Sequence, residues 1–564
     1  NQKYVGHFIV VLYWLATAFA SQLGFEDRLY QFGQSPQVTY SDMNGYGPFL
    51  AGLRWFNLYW ALAALGVAIT CHLFWVRGVD ASWRMRVAGA RRRFTPKSRL
   101  WMGAAAAAFV AAGAVIFYNT HLLNPFRTES DEQEAVARYE KRYRPHLDDP
   151  QPKILDVKVA VDLYPDERRA DLRGTYRLKN QTGSDISTVL LNVPWEVTIR
   201  ELALDRPHAL ESVKEDGFHT AKLQSPLKPG EEATLRFDLS YGARGFKQRG
   251  ELTGVAGNGT FLNSDLLPHV GYQKDRELVE DKDRRKLGLA PRERMLDRDD
   301  PKGLQRNALN GEADFVGFEA TVSTVPDQIA LAPGYLQREW QEGGRRYFEY
   351  KMDAPILGFF SFLSARYEVK RDRWNDVAIE IYSHPGHQYN VDTMVDGVKA
   401  SLEHYTRAYG PYQHRQVRIL EFPRYATFAQ SFPNTIPFSE SIGFIAKVDP
   451  DDPEDVDYPF FVTAHEVAHQ WWAHQVIGGD VQGAEMLAET LSEYSALMVM
   501  KEKWGAPKMR KFLQYELHNY LIGRAFERKK EVPLSRVEHQ PYVRYNKGGI
   551  VMYALADLIG EDQV

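Results

Sequence analysis

The sequence predicts a multidomain chain in which transmembrane α-helices are followed by a mostly β domain and then by a mixed α/β domain. Three observations support this: uncharged stretches near the start, alternating apolar and polar residues in the middle, and apolar residues at helical spacing later. A length of 564 residues fits about three or four domains of ~150 residues each.

The composition excludes some functions. Charged residues make up 25% and aromatic residues 13% of the chain, which is ordinary for a folded protein. The net charge of −4 argues against nucleic acid as a partner, because such domains usually carry a basic excess. Cys71 is the one cysteine, so any metal must be held by histidines and carboxylates.

Residues 1–120 form a membrane region with three predicted transmembrane helices. Each of the stretches 4–25, 55–76 and 100–118 lacks Asp, Glu, Lys and Arg and approaches or exceeds the ~20 residues that cross a bilayer. Aromatic residues cluster in or near their ends, as expected at a membrane interface. A cleaved signal peptide is the alternative for the first stretch, where Ala-Phe-Ala at 18–20 resembles a cleavage site.

The distribution of basic residues predicts the orientation. The loop 77–99 holds eight Lys and Arg residues against a single Asp80, whereas the loop 26–54 holds two. The positive-inside rule places the Arg-rich loop in the cytoplasm. Everything after about residue 120 is then predicted to lie outside the inner (plasma) membrane, with the lipid bilayer as a partner. A nucleic-acid patch is the alternative for the Arg run, and its place between two spans disfavours it.

The soluble part divides into three predicted regions. Residues 121–152 are a charged connector with four prolines, and residues 153–370 are β-rich because apolar residues alternate along them. Within the β-rich region, residues 274–302 are densely charged and predicted to be a surface insertion. Residues 371–564 form the α/β region, whose first helix is predicted from apolar residues at helical spacing: Val391, Met394, Val395, Val398, Leu402 and Tyr405.

The segment His465-Glu-Val-Ala-His469 predicts a metal site in the α/β region. On a helix, residues four apart lie on one face, so both imidazoles reach one ion at ~2.0–2.1 Å. Glu466 lies beside that ion and is the candidate general base towards an attacking water molecule.

A hydrolytic zinc site needs a third protein ligand. His474 is excluded as a metzincin-type ligand, because Trp472 and Gln475 stand where that pattern needs Gly and His. Glu489 is favoured, since it lies in a second predicted helix after a glycine-containing loop, and two antiparallel helices joined in this way can bring it across to the histidines. Its rivals at helical spacing are Glu485 and Glu493, and Glu493 is better suited to orient a ligand imidazole.

The two segments H-E-V-A-H-Q-W-W and L-A-E-T-L-S-E-Y resemble the M1 family of zinc aminopeptidases, which are gluzincins. The resemblance implies one Zn²⁺ per chain, held by His465, His469 and Glu489. It also implies a β domain like the family's N-terminal domain over 153–370 and a thermolysin-like catalytic domain over 371–564. Family members have eighteen residues between the second His and the Glu, whereas nineteen separate them here.

The resemblance extends to Tyr545-Asn-Lys-Gly, which matches the family's Y-x-K-G pattern. The tyrosine of that pattern hydrogen-bonds the developing oxyanion, which implies a catalytic role for Tyr545 beside Glu466. The nearest competing phenol in the sequence is Tyr542.

The family's G-A-M-E-N motif is absent. Its backbone pairs with substrate as an added strand, and its Glu binds the free α-amino group. The corresponding region here has Pro433-Asn434, so Asn434 matches the terminal Asn and Pro433 stands at the Glu position. Glu440 is then the candidate for the missing charge. Asn434 and Glu440 are therefore predicted to bind substrate, and an aminopeptidase is favoured over an endopeptidase on family grounds alone.

The whole arrangement resembles bacterial proteins in which an ABC-transporter-type permease is fused to an M1 peptidase domain. This resemblance implies further membrane helices before Asn1 and a separate ATPase as partner. The resemblance to the M1 family implies a helical C-terminal domain, which is predicted to be truncated because the sequence ends 19 residues after Tyr545. The predicted function is a membrane-anchored zinc metallopeptidase acting on peptides. The alternative is a permease domain that binds a peptide or partner protein without cutting it.

Overall fold

The computed structural model describes residues 3–75, 82–449, 451–452 and 455–564. The end of the second predicted span at Val76, and Arg77 and Asp80 of the basic loop, lie outside these residues. The chain packs into two compact units: residues 1–40, 46–135 and 243–253 form the first, and residues 41–45, 136–242 and 254–564 form the second. The α/β region and all of the β-rich region except residues 243–253 belong to the second unit. The division into four sequence-based regions stays a prediction.

Five α-helices begin in the first unit within the described residues. Their bounds are α1 Lys3–Ala18, α2 Leu50–Phe74, α3 Trp83–Arg93, α4 Pro96–Phe117 and α5 Glu129–Tyr143. Helices α1, α2 and α4 are mostly apolar, α3 is basic, and α5 is rich in charged residues of both signs. In this unit Phe56 and Tyr59 of α2 form a small buried core with Ala112 and Ile116 of α4. Helix α5 lies in the predicted connector, which is therefore partly helical.

Two helical stretches, Gly47–Phe74 and Pro96–Leu123, are long and apolar enough to cross a membrane. Little of either stretch is buried in the structure, unlike the core helix of a soluble protein. The first apolar stretch gives only the 16-residue helix α1, about 24 Å long, against a hydrocarbon core of ~30 Å. A turn with Gly24 at φ 83° follows it, and its crossing of a membrane stays a prediction.

The second unit begins with three β-sheets. Their strands are β1 Lys153–Tyr164, β2 Arg169–Lys179, β3 Ile186–Asn192, β4 Thr198–Leu204, β5 His208–Val213, β6 Phe218–Leu227, β7 Glu232–Gly242, β8 Thr260–Asn263, β9 His269–Val270, β10 Ala313–Thr324, β11 Ile329–Leu331, β12 Tyr335–Glu342, β13 Arg345–Lys351, β14 Ile356–Leu357 and β15 Ser361–Ala365. The largest sheet has the order β12-β13-β10-β1-β2-β7-β4. The alternating apolar residues of β1 are buried, as the sequence predicts.

The charged segment 274–302 is more than a surface insertion. It contains the short helix α6, Asp281–Lys286, whose Arg284 is among the most deeply buried side chains described. The Arg284 guanidinium donates to both carboxylate oxygens of Glu140 on α5, at 2.6 and 2.9 Å. A buried charge needs such a partner, and the bidentate pair anchors the segment to the unit.

The α/β region is built on a four-stranded sheet of order β16-β17-β18-β19. Its elements are β16 Glu368–Trp374, β17 Val377–Ser383, α7 Val391–Tyr409, β18 Gln416–Phe422, β19 Thr435–Ser439, α8 Tyr458–Ala468, α9 Leu491–Trp504, α10 Met509–Phe526 and α11 Gly548–Ile559. Strands β17, β18 and β19 run parallel, and β16 runs antiparallel to β17. Every residue of central β18 from Val417 to Phe422 is buried, as expected of a strand covered on both faces, and this run includes the charged residues Arg418 and Glu421.

One hydrophobic core joins this sheet to its helices. Ile379, Ile419 and Ile436 from three adjacent strands pack in one cluster with Met394 of α7 and Leu497 of α9. The tightly packed helices α7, α8 and α9 hold the metal-site segments against this core, so that the site is built on rigid elements.

A hairpin extends the sheet beyond β19. Residues 428–432, named the edge segment from here on, run antiparallel to β19. Ser439 N–H donates to the Phe428 carbonyl at 3.0 Å, and Phe432 N–H donates to the Thr435 carbonyl at 2.8 Å. Pro433 and Asn434 form the turn. Proline suits its first position, and Asn434 at φ 51° suits the second, where left-handed backbone is required.

Candidate metal centre

Helix α8 carries the first half of the site. The Asp457 carboxylate caps it by accepting the Phe460 N–H at 3.1 Å, and Pro459 occupies its first turn. His465 lies in its last turn, and His469 follows its last residue with the N–H donating to the His465 carbonyl at 3.3 Å. The two imidazoles therefore stay on one face, as the sequence predicts.

Three ligand atoms converge beside α8. The Nε2 atoms of His465 and His469 lie 3.1 Å apart. Oε2 of Glu489 lies 3.6 Å from the first and 3.4 Å from the second. Tetrahedral zinc with bonds of ~2.0–2.1 Å places its donor atoms about 3.3 Å apart. The three separations agree with that value to within a few tenths of an ångström.

Polar groups lie beside the other imidazole nitrogens. Nδ1 of His465 lies 2.8 Å from Oε2 of Glu493, an ion-pair contact without the angle of a hydrogen bond. Nδ1 of His469 lies 3.1 Å from both the Trp472 carbonyl and the Ser492 hydroxyl. A proton on each Nδ1 leaves both Nε2 lone pairs free for one cation, which is the usual arrangement around a zinc-bound histidine.

The residues fit a zinc ion by their own chemistry. Oε2 of Glu489 and Oε2 of Glu466 are buried, and neither has a hydrogen-bond partner within the part of the chain that the structure describes. Such orphaned oxygens are costly unless a ligand completes them. Two imidazoles and one carboxylate also match the donor set of hydrolytic zinc sites, which keep a fourth position open.

The structure separates Glu489 from its rivals. Glu489 lies on a π-helical turn, Met486–Thr490, that leads into α9, and such turns are frequent at functional sites. Glu485 is paired with Arg544 and lies 3.1 Å from Nδ1 of His539. Glu493 is at Nδ1 of His465. Of the three acids, Glu489 is the one that faces both Nε2 atoms.

The environment of the carboxylates supports distinct roles. Burial raises the pKa of Glu466, and nearby Glu489 raises it further, against the opposing effect of His469. Burial opposes ionisation of Glu489, but His469 and His465 hold the pKa of Glu489 well below its usual range. A ligand that stays ionised and a neighbour of raised basicity suit a metal ligand and a general base.

Tyr545 joins the site from a second π-helical turn, Val543–Lys547. Its ring centroid lies 5.9 Å from that of His465. Burial and the Glu489 carboxylate raise the pKa of Tyr545 well above its ordinary value, so that its hydroxyl keeps its proton and remains a donor. The competing Tyr542 packs with Val537 and Val543 in a separate hydrophobic cluster.

The Tyr545→Phe variant tests the phenol. We expect kcat for a peptide to fall by about 10²–10³-fold, because one donor to the developing oxyanion is lost. The KM is expected to change little, since the ring remains. Steady-state kinetics on both variants checks this, with Tyr542→Phe as the matched control from the same segment. An equal loss in the two variants would contradict the role of Tyr545.

One supporting group was not foreseen from the sequence. Glu516 of α10 is buried and accepts from Nδ2 of Asn546 at 2.8 Å, next to Tyr545. Burial and then Glu493 raise the pKa of Glu516 to about 9. The carboxyl thus connects the Glu493 side of His465 to the Tyr545 segment. Glu516 belongs to no recognisable motif, so the sequence gives no indication that it lies near the metal site.

The predicted substrate-binding residues Asn434 and Glu440 are fully buried. Oδ1 of Asn434 accepts from Gln416 at 2.8 Å and from Arg418 at 3.2 Å. The Glu440 carboxylate accepts the N–H of Arg424 at 3.1 Å. Both side chains are therefore already used inside the protein, and their contact with a substrate stays a prediction without support from this geometry.

A second group of potential ligands lies at His387, Glu421 and Glu440. Here the carboxylate oxygens already have partners. Glu421 accepts the His384 N–H and faces Nδ1 of His387, each at 2.5 Å. Glu440 accepts the N–H of Met43 at 3.3 Å. This satisfied network suits a structural role, in contrast to the orphaned oxygens of the first group.

No protein-family model and no curated protein matches the sequence. Among solved structures, the M1 zinc metallopeptidase from Deinococcus radiodurans is similar with a TM-score of 0.49 and 13% identity, over 75% of this chain and 86% of that chain. A mutant of that enzyme bound to a Tyr-Ser-Ala substrate is similar with a TM-score of 0.48 and 12% identity, over 73% of this chain and 84% of that chain.

Proposed function

We propose that this chain is a membrane-anchored zinc metallopeptidase that hydrolyses peptide bonds outside the cytoplasm. The observation that carries the proposal is the convergence of His465, His469 and Glu489 at 3.1 to 3.6 Å beside the buried Glu466. A permease domain that only binds a peptide has no need of three metal ligands and a general base.

Each residue has a role in hydrolysis. Zinc, when bound at the three ligands, supplies a Lewis acid for the scissile carbonyl. Glu466 takes a proton from the attacking water and returns it to the leaving amine. Tyr545 donates a hydrogen bond to the oxygen on which charge develops. Glu493 and the Trp472 carbonyl keep the two imidazoles in the orientation that binds the metal.

The edge segment supports a peptide as substrate. It is the outermost strand on one side of the sheet, and the backbone groups that point away from the sheet include the N–H and C=O of Ala429. These two groups have no hydrogen-bond partner among the described residues. An open strand edge binds extended peptides by adding them as a further strand. The lack of G-A-M-E-N thus removes the amine-binding Glu but not the backbone on which a peptide pairs.

The membrane location is supported by the two long apolar helices and by the basic helix between them. Helix α3 carries Arg84, Arg86, Arg91, Arg92 and Arg93, which favours the cytoplasmic side under the positive-inside rule. The second unit would then face outwards. The association with a separate ABC-type ATPase rests on the sequence resemblance alone.

The test uses the full chain in detergent or lipid, loaded with zinc, and two peptides that differ only in acetylation of the amino terminus. Cleavage of at least one, lost in Glu466→Gln, supports the peptidase. Cleavage of only the free form makes it an aminopeptidase, and cleavage of both makes it an endopeptidase. No cleavage of either peptide with zinc bound would overturn the proposal in favour of a non-cleaving binding domain.

A further inference from the structure

The edge segment contacts the loop that directly follows α8 and the ligand His469. In its ladder with β19, residues 428, 430 and 432 face the partner strand, so the backbone groups of Ala429 and Ser431 point to the outer edge. Ala429 is free to pair there. The Ser431 carbonyl is not, because Nε2 of His474 lies 3.1 Å from it and is placed to donate.

Gln470 makes a second attachment, and it directly follows the ligand His469. Its Nε2 donates to the Ser431 hydroxyl at 2.6 Å and to the Phe432 carbonyl at 2.9 Å. Its Oε1 accepts the Asn434 N–H at 2.9 Å. Gln470 is fully buried, so these three hydrogen bonds are shielded from water and costly to leave unmade.

The loop that presents these side chains is itself fixed. The His474 N–H donates to the His469 carbonyl at 3.1 Å. Ala473 adopts φ 143°, a backbone conformation that a residue with a side chain adopts only when its surroundings enforce it. Nε2 of Gln413 donates to the carbonyls of both Gln470 and His474, each at 3.2 Å.

We propose that Gln470 and His474 are positioning residues, which hold the edge segment at the register where a paired peptide meets the metal ligands and Glu466. The inference rests on the proposed function. The five residues that follow His469, 470–474, contact the backbone of the edge segment through Gln470 and His474. A misplacement of about 1 Å at such a contact costs roughly 100-fold in rate. The two side chains thus act on kcat through the placement of the substrate.

The test compares a tetrapeptide, which pairs along the edge, with a single-residue amide, which has little backbone to pair. In His474→Leu and Gln470→Glu we expect kcat for the tetrapeptide to fall by about 10–100-fold, with a smaller fall for the amide. The KM is expected to change less than kcat, and the zinc content is expected to stay at the wild-type value. His474→Gln, which retains a donor at the same reach, is expected to recover most of the loss.

The matched control is Gln475→Glu in the same loop, whose side chain donates to the Pro411 carbonyl at 3.3 Å. It should leave both substrates unaffected. Equal losses on the tetrapeptide and the amide, or no loss on either, would overturn the positioning role while the peptidase stands. A wild-type protein that cleaves neither substrate would overturn the proposed function and this inference together.

Discussion

The Glu466→Gln variant is expected to bind zinc like the wild type and to lose about 10²–10⁴-fold in kcat. The amide has nearly the shape of the carboxylate but cannot accept the proton of the attacking water. Metal binding is unaffected, because the three ligand atoms belong to other residues. Kinetics on an unblocked peptide, with zinc measured in the same preparation, checks both statements.

The control for this variant is Glu485→Gln, since Glu485 is paired with Arg544 and His539 away from the ligand atoms. It should keep most of the activity. A Glu466→Gln protein with wild-type turnover would remove Glu466 from the chemistry. So would a loss of zinc that accounts for the loss of turnover.

The Glu489→Gln variant is expected to lose zinc and, with it, all measurable cleavage. The site would keep two neutral imidazoles and no negatively charged ligand, and an amide is a poor zinc ligand. We expect the zinc affinity to fall by more than the ~10–100-fold that loss of a supporting hydrogen bond costs. Competition with a chromogenic chelator measures it.

The Glu493→Gln variant is the comparison for Glu489→Gln, because it is expected to weaken zinc binding by a smaller factor. Glu493 contacts Nδ1 of His465 at 2.8 Å rather than the ligand atoms, so its loss is expected to cost ~10–100-fold in zinc affinity. An affinity that falls more in Glu493→Gln than in Glu489→Gln would exchange the roles of the two acids. That outcome would contradict the assignment of Glu489 as the third ligand.

Two of the three candidate metal ligands can be predicted from residue spacing along one helix. His465 and His469 lie four residues apart, and helix geometry alone brings their side chains together. The third ligand does not follow in this way, because Glu485, Glu489 and Glu493 share one face of a helix. Arg544, more than fifty residues away in the sequence, pairs with Glu485, and Nδ1 of His465 faces Glu493, so that Glu489 is left to face the Nε2 atoms.

Other features depend on tertiary contacts that have no local pattern. The predicted span 4–25 gave a shorter helix, since Gly24 and the polar Ser21 and Gln22 interrupt the apolar run. Glu440 looked available as an amine anchor, yet folding buries it against the N–H of Met43, some four hundred residues earlier. Burial of this kind cannot be predicted from the spacing of residues around a motif.

The most direct test of the account is anomalous diffraction at the zinc absorption edge from crystals of the zinc-loaded protein. We expect one peak per chain, at ~2.0–2.2 Å from Nε2 of His465, Nε2 of His469 and a Glu489 oxygen. The satisfied group of His387, Glu421 and Glu440 should carry none. A peak at that second group alone, or no peak in a protein that still cleaves peptides, would contradict the assignment.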